Sequence, residues 1–100
     1  MIHPGCTEEH RFAFPYAPEA VAAVYVTYQQ YGRTVLEKQW EHCFVEDGRL
    51  LVYLSQEDTL KFECKCDTRM QIRTRLTSGA VVKSCICTTI TDDLLKKEVI

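Results

Sequence analysis

Six cysteines are the residues most able to do chemistry in this chain, and four fall in two close pairs, Cys64-Lys65-Cys66 and Cys85-Ile86-Cys87. Four thiolates can hold zinc tetrahedrally. The spacing argues against it, because zinc knuckles place two or more residues between their cysteines on a turn. In an extended strand a Cys-x-Cys pair points both thiols to one face, about 6.5–7 Å apart. Sulfurs that share a zinc through bonds of about 2.3 Å must come closer than that. The same spacing disfavours a disulfide within either pair but leaves a cross-strand one open. Without an export signal the remaining expectation is reduced thiols that pack as small hydrophobes, Cys6 and Cys43 included.

Other constellations are weaker. His42 and Cys43 are adjacent, and adjacency in a strand sends two side chains to opposite faces. His3 and His10 lie near an end expected to be mobile. Glu46, Asp47, Glu57, Asp58, Asp92 and Asp93 fall at turns or ends, as solvated punctuation and not as a buried acid–base pair. No phosphate-cradling glycine loop or nucleophile elbow is present. The residues point to no catalytic site and to no cofactor.

The elements that carry these residues centre on the segment from Thr68 to Ile90. Met70, Ile72, Thr74 and Leu76 alternate with Arg69, Gln71, Arg73 and Arg75, the period of a strand that buries one face and wets the other. Thr77-Ser78-Gly79 breaks the run, and a β-branched second arm follows, so the segment predicts a hairpin. Arg69, Arg73 and Arg75, with Lys83, then line one wet face. Such a face is expected to be solvated or to guard the sheet against edge pairing, with nucleic-acid contact as the sharper reading.

Taken in order, Glu8 to Phe14 places Phe12 and Phe14 on one side and stops at Pro15, which suits an edge strand. Residues 22–30 turn Val24, Val26 and Tyr28 inward, Tyr31-Gly32-Arg33 turns the chain, and residues 33–40 place Leu36 and Trp40 on one side. Glu46-Asp47-Gly48 links residues 43–46 and 49–54 as a tight hairpin. Ser55 followed by Asp58 is a variant capping box, predicting one short helical turn near 55–61 with Leu60 and Phe62 closing over the core. With 68–77 and 80–91 the chain carries seven strands. That predicts an all-β fold, a seven-stranded immunoglobulin-like antiparallel β-sandwich, with a partly open barrel as competitor.

One hundred residues make one domain, read as a sandwich over 1–93 with a tail over 94–100. The net charge of −2 argues against general nucleic-acid binding. No run approaches the roughly 18 apolar residues of a membrane span. The first residues have neither a basic nor an apolar region, so no signal peptide is expected and the chain is expected to fold in a cytosol. In the tail Leu94, Leu95, Val99 and Ile100 stand between charges. They pack on their own sandwich or insert into a neighbouring subunit. Trp40 and the tyrosines are plentiful, and any on the wet face would mark an interface.

Leu50-Leu51-Val52-Tyr53-Leu54-Ser55-Gln56-Glu57-Asp58-Thr59-Leu60 resembles the valine-x-leucine-(Ser/Thr)-Gln-Glu-x-Thr-Leu segment of a group of small prophage-encoded proteins of gut Firmicutes. Met70 to Gly79 resembles their central hairpin, Leu94 to Ile100 their terminal motif, and Val24 to Tyr28 the strand after their N-terminal arm. Glu98 stands where that motif carries glycine, and the Cys-x-Cys pairs lie outside the pattern. These proteins are similar in layout to the N-terminal immunoglobulin-like domain of phage baseplate upper proteins. The resemblance implies a virion structural component of the tail or baseplate, without enzymatic activity. Its expected partners are other virion proteins or copies of itself as a homo-oligomer, with neither nucleic acid nor membrane. It would be cytoplasmic during synthesis and then part of the virion. Leu94, Leu95, Val99 and Ile100, with Arg69, Arg73 and Arg75 second, are the candidate docking residues. The alternative is a small cytosolic metal- or redox-responsive domain using Cys64, Cys66, Cys85 and Cys87.

Overall fold

The computed structural model describes residues 1–84 and 86–100. Two antiparallel sheets form a sandwich, as the alternating segments require, with eight strands among the described residues instead of seven. The strands are β1 (Glu8–Ala13), β2 (Val21–Gln30), β3 (Arg33–Gln39), β4 (Cys43–Glu46), β5 (Arg49–Leu54), β6 (Asp67–Leu76), β7 (Val81–Lys83) and β8 (Cys87–Ile90). One sheet has the order β1-β5-β4. The other runs β3-β2-β6-β7, with β8 also paired to β6.

Turn chemistry sets this order. Tyr31 and Gly32 both sit at positive φ (52° and 72°), as do Asp47 and Gly48 (50° and 72°). Two left-handed residues in a row make the tight turn whose twist matches antiparallel strands. A two-residue turn cannot reach across layers about 10 Å apart. β3 therefore pairs directly with β2, from Gln30 opposite Arg33 onward. An immunoglobulin domain instead puts its second and third strands in different sheets.

The extra strand comes from a slip in the last arm. Arg73 faces Lys83 in β7, while Met70 faces Cys87 in β8, so the second arm carries one residue more than β6 over the same span. One residue of surplus is what a bulge inserts. At this place the Ile72 N–H donates to the Ser84 hydroxyl (3.0 Å) in place of a backbone carbonyl.

The core lies between the sheets. Leu50, Val52 and Leu54 of β5 face Val24, Val26 and Tyr28 of β2 and Ile72 of β6, all buried. Each large aliphatic side chain so buried stabilises the fold by about 1.5–3 kcal/mol. Trp40 and Phe14 stack at 6.3 Å and close one end. Phe62 meets Tyr28 edge to face at 5.6 Å and closes the other.

The helical turn forms over Gln56–Leu60 as α1. Its capping box is complete: the Asp58 N–H donates to Ser55 Oγ (3.2 Å) and the Ser55 N–H donates to Asp58 Oδ2 (3.0 Å). The expectation of a mobile N-terminus is corrected. Ile2 is buried, its N–H donates to Ile90 O (3.0 Å) and its carbonyl accepts from the Asp92 N–H (2.8 Å), so it extends the edge of β8. No helix among the described residues is long and apolar enough to cross a membrane.

Candidate functional site

Among the described residues the thiols do not converge. Cys64-Lys65-Cys66 is a turn and not an extended strand, since Lys65 takes φ 61°. The turn is clamped to the end of the last arm: the Lys65 N–H donates to Thr91 O (2.8 Å) and the Thr91 N–H to Cys66 O (2.9 Å). Cys66 thus lies opposite Thr91, whereas Cys87 lies opposite Met70, four residues further along β6. Four residues of strand span about 13 Å. Cys85 lies outside the described residues, and among those described no three His, Cys, Asp or Glu gather as a metal site. Cys66 Sγ instead shares a hydrogen bond with the Tyr31 hydroxyl (2.9 Å), which pushes the Tyr31 pKa up.

Cys43 faces the core and donates to Gln39 O (3.3 Å), while its neighbour His42 is exposed and ends a 3₁₀ turn, not a strand. Burial pushes the Cys43 thiol up to about 11, against the pull of Lys38. A thiol so protonated at neutral pH is a poor nucleophile.

Two polar clusters inside the fold carry no mark in the sequence pattern. Gln30 ends β2 and is buried. Its side-chain N–H groups donate to Glu63 O (3.0 Å), Thr68 Oγ1 (3.1 Å) and Thr91 Oγ1 (3.3 Å), and its carbonyl accepts from the Glu63 N–H (2.8 Å). One amide therefore ties β2, the Cys64 turn, β6 and the end of the last arm. The second cluster is Glu8–His10–Tyr28, with His10 Nδ1 2.8 Å from Tyr28 Oη and His10 Nε2 2.9 Å from Glu8 Oε2. Tyr28 is buried, and the cluster bridges the two sheets, with Glu8 and His10 on β1 and Tyr28 on β2.

The outer face of the larger sheet is built differently. Arg69, Arg73 and Arg75 point outward from β6, and Lys83 stands beside Arg73 on β7. The β2 partners are Gln29 beside Arg69, Thr27 beside Gln71, Tyr25 beside Arg73 and Ala23 beside Arg75. All four cations are exposed, and among the described residues none of them has an ion-pair partner. Two shallow depressions share Arg73. One of about 190 Å³ lies between Arg69 and Arg73 and is bounded by Gln71 and Ile86. The other, of about 150 Å³, lies between Arg73 and Arg75 and is bounded by Tyr25 and Val81.

The tail divides. Leu94 is half-buried over the N-terminal segment, close enough that a Cβ on Gly5 would meet its Cδ2 at 2.9 Å. Leu95 and Ile100 are 100% and 91% exposed, and Val99 is also exposed. Ile100 is held through its backbone, its N–H donating to Gln56 Oε1 (2.9 Å) and its carbonyl accepting from Gln56 Nε2 (3.1 Å). Among the described residues the chain thus presents a cationic sheet face and an apolar tail.

No family model matches this chain, and neither a curated protein nor a solved structure does.

Proposed function

We propose that this chain is a non-enzymatic packing module of a phage or prophage virion, part of a tail or baseplate. It works by presenting rigid surfaces to neighbouring proteins or to further copies of itself. The observation that carries the reading is the outer face of β6. Three arginines and a lysine are held in register on a rigid sheet, exposed and without ion-pair partners among the described residues. Structures that leave arginines solvated and aligned offer forks suited to planar acceptors on a partner. The exposed Leu95, Val99 and Ile100 add apolar surface of the kind that interfaces cover. The resemblance of Leu50 to Leu60 and of the terminal segment to small prophage-encoded proteins directs the reading to virions.

The alternative, a metal- or redox-responsive domain, has less support, because the strand register keeps Cys87 about 13 Å from Cys66 along β6.

The test is incorporation. Particles induced from the genome that encodes the chain, purified and digested for mass spectrometry, should contain it in stoichiometric amount. Its absence from intact particles sinks the virion reading. Sedimentation of the full chain and of a chain ending at Asp93 tests the tail, which should lose any self-association on truncation.

A further inference from the structure

We infer that the outer face of β6 takes an acidic, extended segment of a second protein, with carboxylates at three of its four same-face positions. The inference rests on reading the chain as a packing module and names the occupant of its cationic face.

Spacing supplies the first argument. Arg73 and Arg75 are two residues apart on one strand face, and Arg69 is four residues from Arg73. Those separations are about 6.5–7 Å and 13 Å. An extended polypeptide repeats its same-face side chains at the same interval, so a strand laid along β6 stays in step with all three guanidinium groups. Each guanidinium can grip a carboxylate through two parallel hydrogen bonds. Lys83, beside Arg73, adds a fourth positive charge where two carboxylates would come closest.

The gap in the arginine series supplies the second. The position between Arg69 and Arg73 is Gln71, over the larger depression, whose margin includes Met70 and the exposed Ile86. An apolar side chain fits there. The occupant therefore reads acid, x, apolar, x, acid, x, acid along its length, with its direction open.

Two rivals fit less well. A nucleic-acid strand needs a series of stacking rings, and on this face Tyr25 is the exposed ring among the described residues. The tail of a second copy brings acids that are already engaged, Asp92 with His3 (3.3 Å), Asp93 with Lys65 (3.4 Å) and Glu98 with Lys96 (3.6 Å).

The experiment uses the full chain and a labelled peptide, Glu-Thr-Val-Thr-Glu-Thr-Glu, followed by fluorescence anisotropy. The same peptide with lysine for glutamate and an oligo-dT strand are run beside it. The Glu peptide should bind saturably, the Lys peptide should not, and raised salt should weaken the binding. Arg73→Glu should weaken it about ten-fold or more, as reversal of a contact charge does. Arg69→Ala, at the other end of the series, should cause a smaller loss in a protein whose circular dichroism is unchanged. Three results overturn the inference: no saturable binding of the Glu peptide, tighter binding of oligo-dT, or self-association that Arg73→Glu abolishes. Peptide failure beside normal particle incorporation removes this occupant and leaves the packing role. Peptide binding by a chain missing from particles removes the virion role and leaves the face.

Discussion

The hydrogen bond between His10 Nδ1 and the Tyr28 hydroxyl, 2.8 Å long, joins the two sheets through the core, since His10 belongs to β1 and Tyr28 to β2. Burial, followed by the nearby Cys43, Glu8 and Asp58 charges, pushes the Tyr28 pKa far above the ordinary tyrosine value. The hydroxyl therefore stays protonated and shares this hydrogen bond with Nδ1. The Nε2–H then donates to Glu8 (2.9 Å).

Tyr28→Phe removes that hydroxyl and leaves Nδ1 without its partner between the sheets. The expected loss is about 1–3 kcal/mol of unfolding free energy, read from urea titrations. The ¹⁵N shifts of the His10 ring should show a proton on Nε2, facing Glu8, in the parent protein. An unchanged urea midpoint in the variant would show that the bond does not brace the sheets.

Gln30→Leu keeps the volume and deletes every hydrogen bond of the buried amide. The Glu63 N–H loses its acceptor, and Thr68 and Thr91 are left with each other at 3.0 Å. Stability should fall by about 1–3 kcal/mol. Amide exchange should quicken at Glu63 and Lys65 before it does in β5, because the amide pins the Cys64 turn. Uniform quickening across both sheets would contradict this local role.

How much of this was legible follows from the range of each interaction. The alternation in β6, the inward Val24, Val26 and Tyr28, the Asp47-Gly48 turn and the Ser55–Asp58 cap are local, and each is written in a few consecutive residues. The fate of the cysteines is not local. It depends on the one-residue slip between β7 and β8 and on the left-handed Lys65, a residue type that gives no warning of positive φ. Gln30 reads as an ordinary polar strand end, because its three partners come from 33 to 61 residues away. The arginine face was visible as a pattern, but the absence of ion pairs on it among the described residues is a property of the assembled sheet.

Asp58 couples stability to acid pH. Burial alone would raise its carboxyl, but the Lys38 ammonium at 2.7 Å and the Ser55 N–H outweigh that and hold it below the usual carboxylate value. A depressed folded-state pKa stabilises the fold above the unfolded value, about 3.9, and this contribution is lost as pH falls through the folded one. Asp58→Asn should cost about 1.5–3 kcal/mol at neutral pH, the range for a charged hydrogen bond. The gap between parent and variant should narrow in urea titrations carried from pH 6 down to pH 2. A constant gap would mean that shape and not charge matters at this position.

Alkylation should rank the thiols. Cys6 and Cys87 are exposed and should react first in the native protein, Cys64 and Cys66 more slowly, and Cys43 last, its thiol being pushed up to about 11 by burial. Timed quenching with iodoacetamide at pH 8, followed by peptide mapping, gives the order. Early labelling of Cys43 would place it outside the core. Protection of Cys64, Cys66 and Cys87 together, appearing only with added zinc, would revive the metal-responsive alternative.

Gly5 and Leu94 settle how the two ends of the chain are joined. Gly5 takes φ 78°, and an added Cβ would stand 2.9 Å from Leu94 Cδ2. Gly5→Ala therefore meets backbone strain that L residues avoid, together with a collision at the far end of a flexible side chain. The side chain can swing away, so the backbone supplies most of the cost, about 1 kcal/mol. Leu94 leaving Gly5 should loosen the tail, and limited proteolysis should cut near Lys96 and Lys97 sooner than in the parent. Leu94→Ala should give the same early cleavage without the backbone strain. If neither variant changes the cleavage rate, Leu94 is not what holds the tail, and the Gln56 contacts with Ile100 are left to do it.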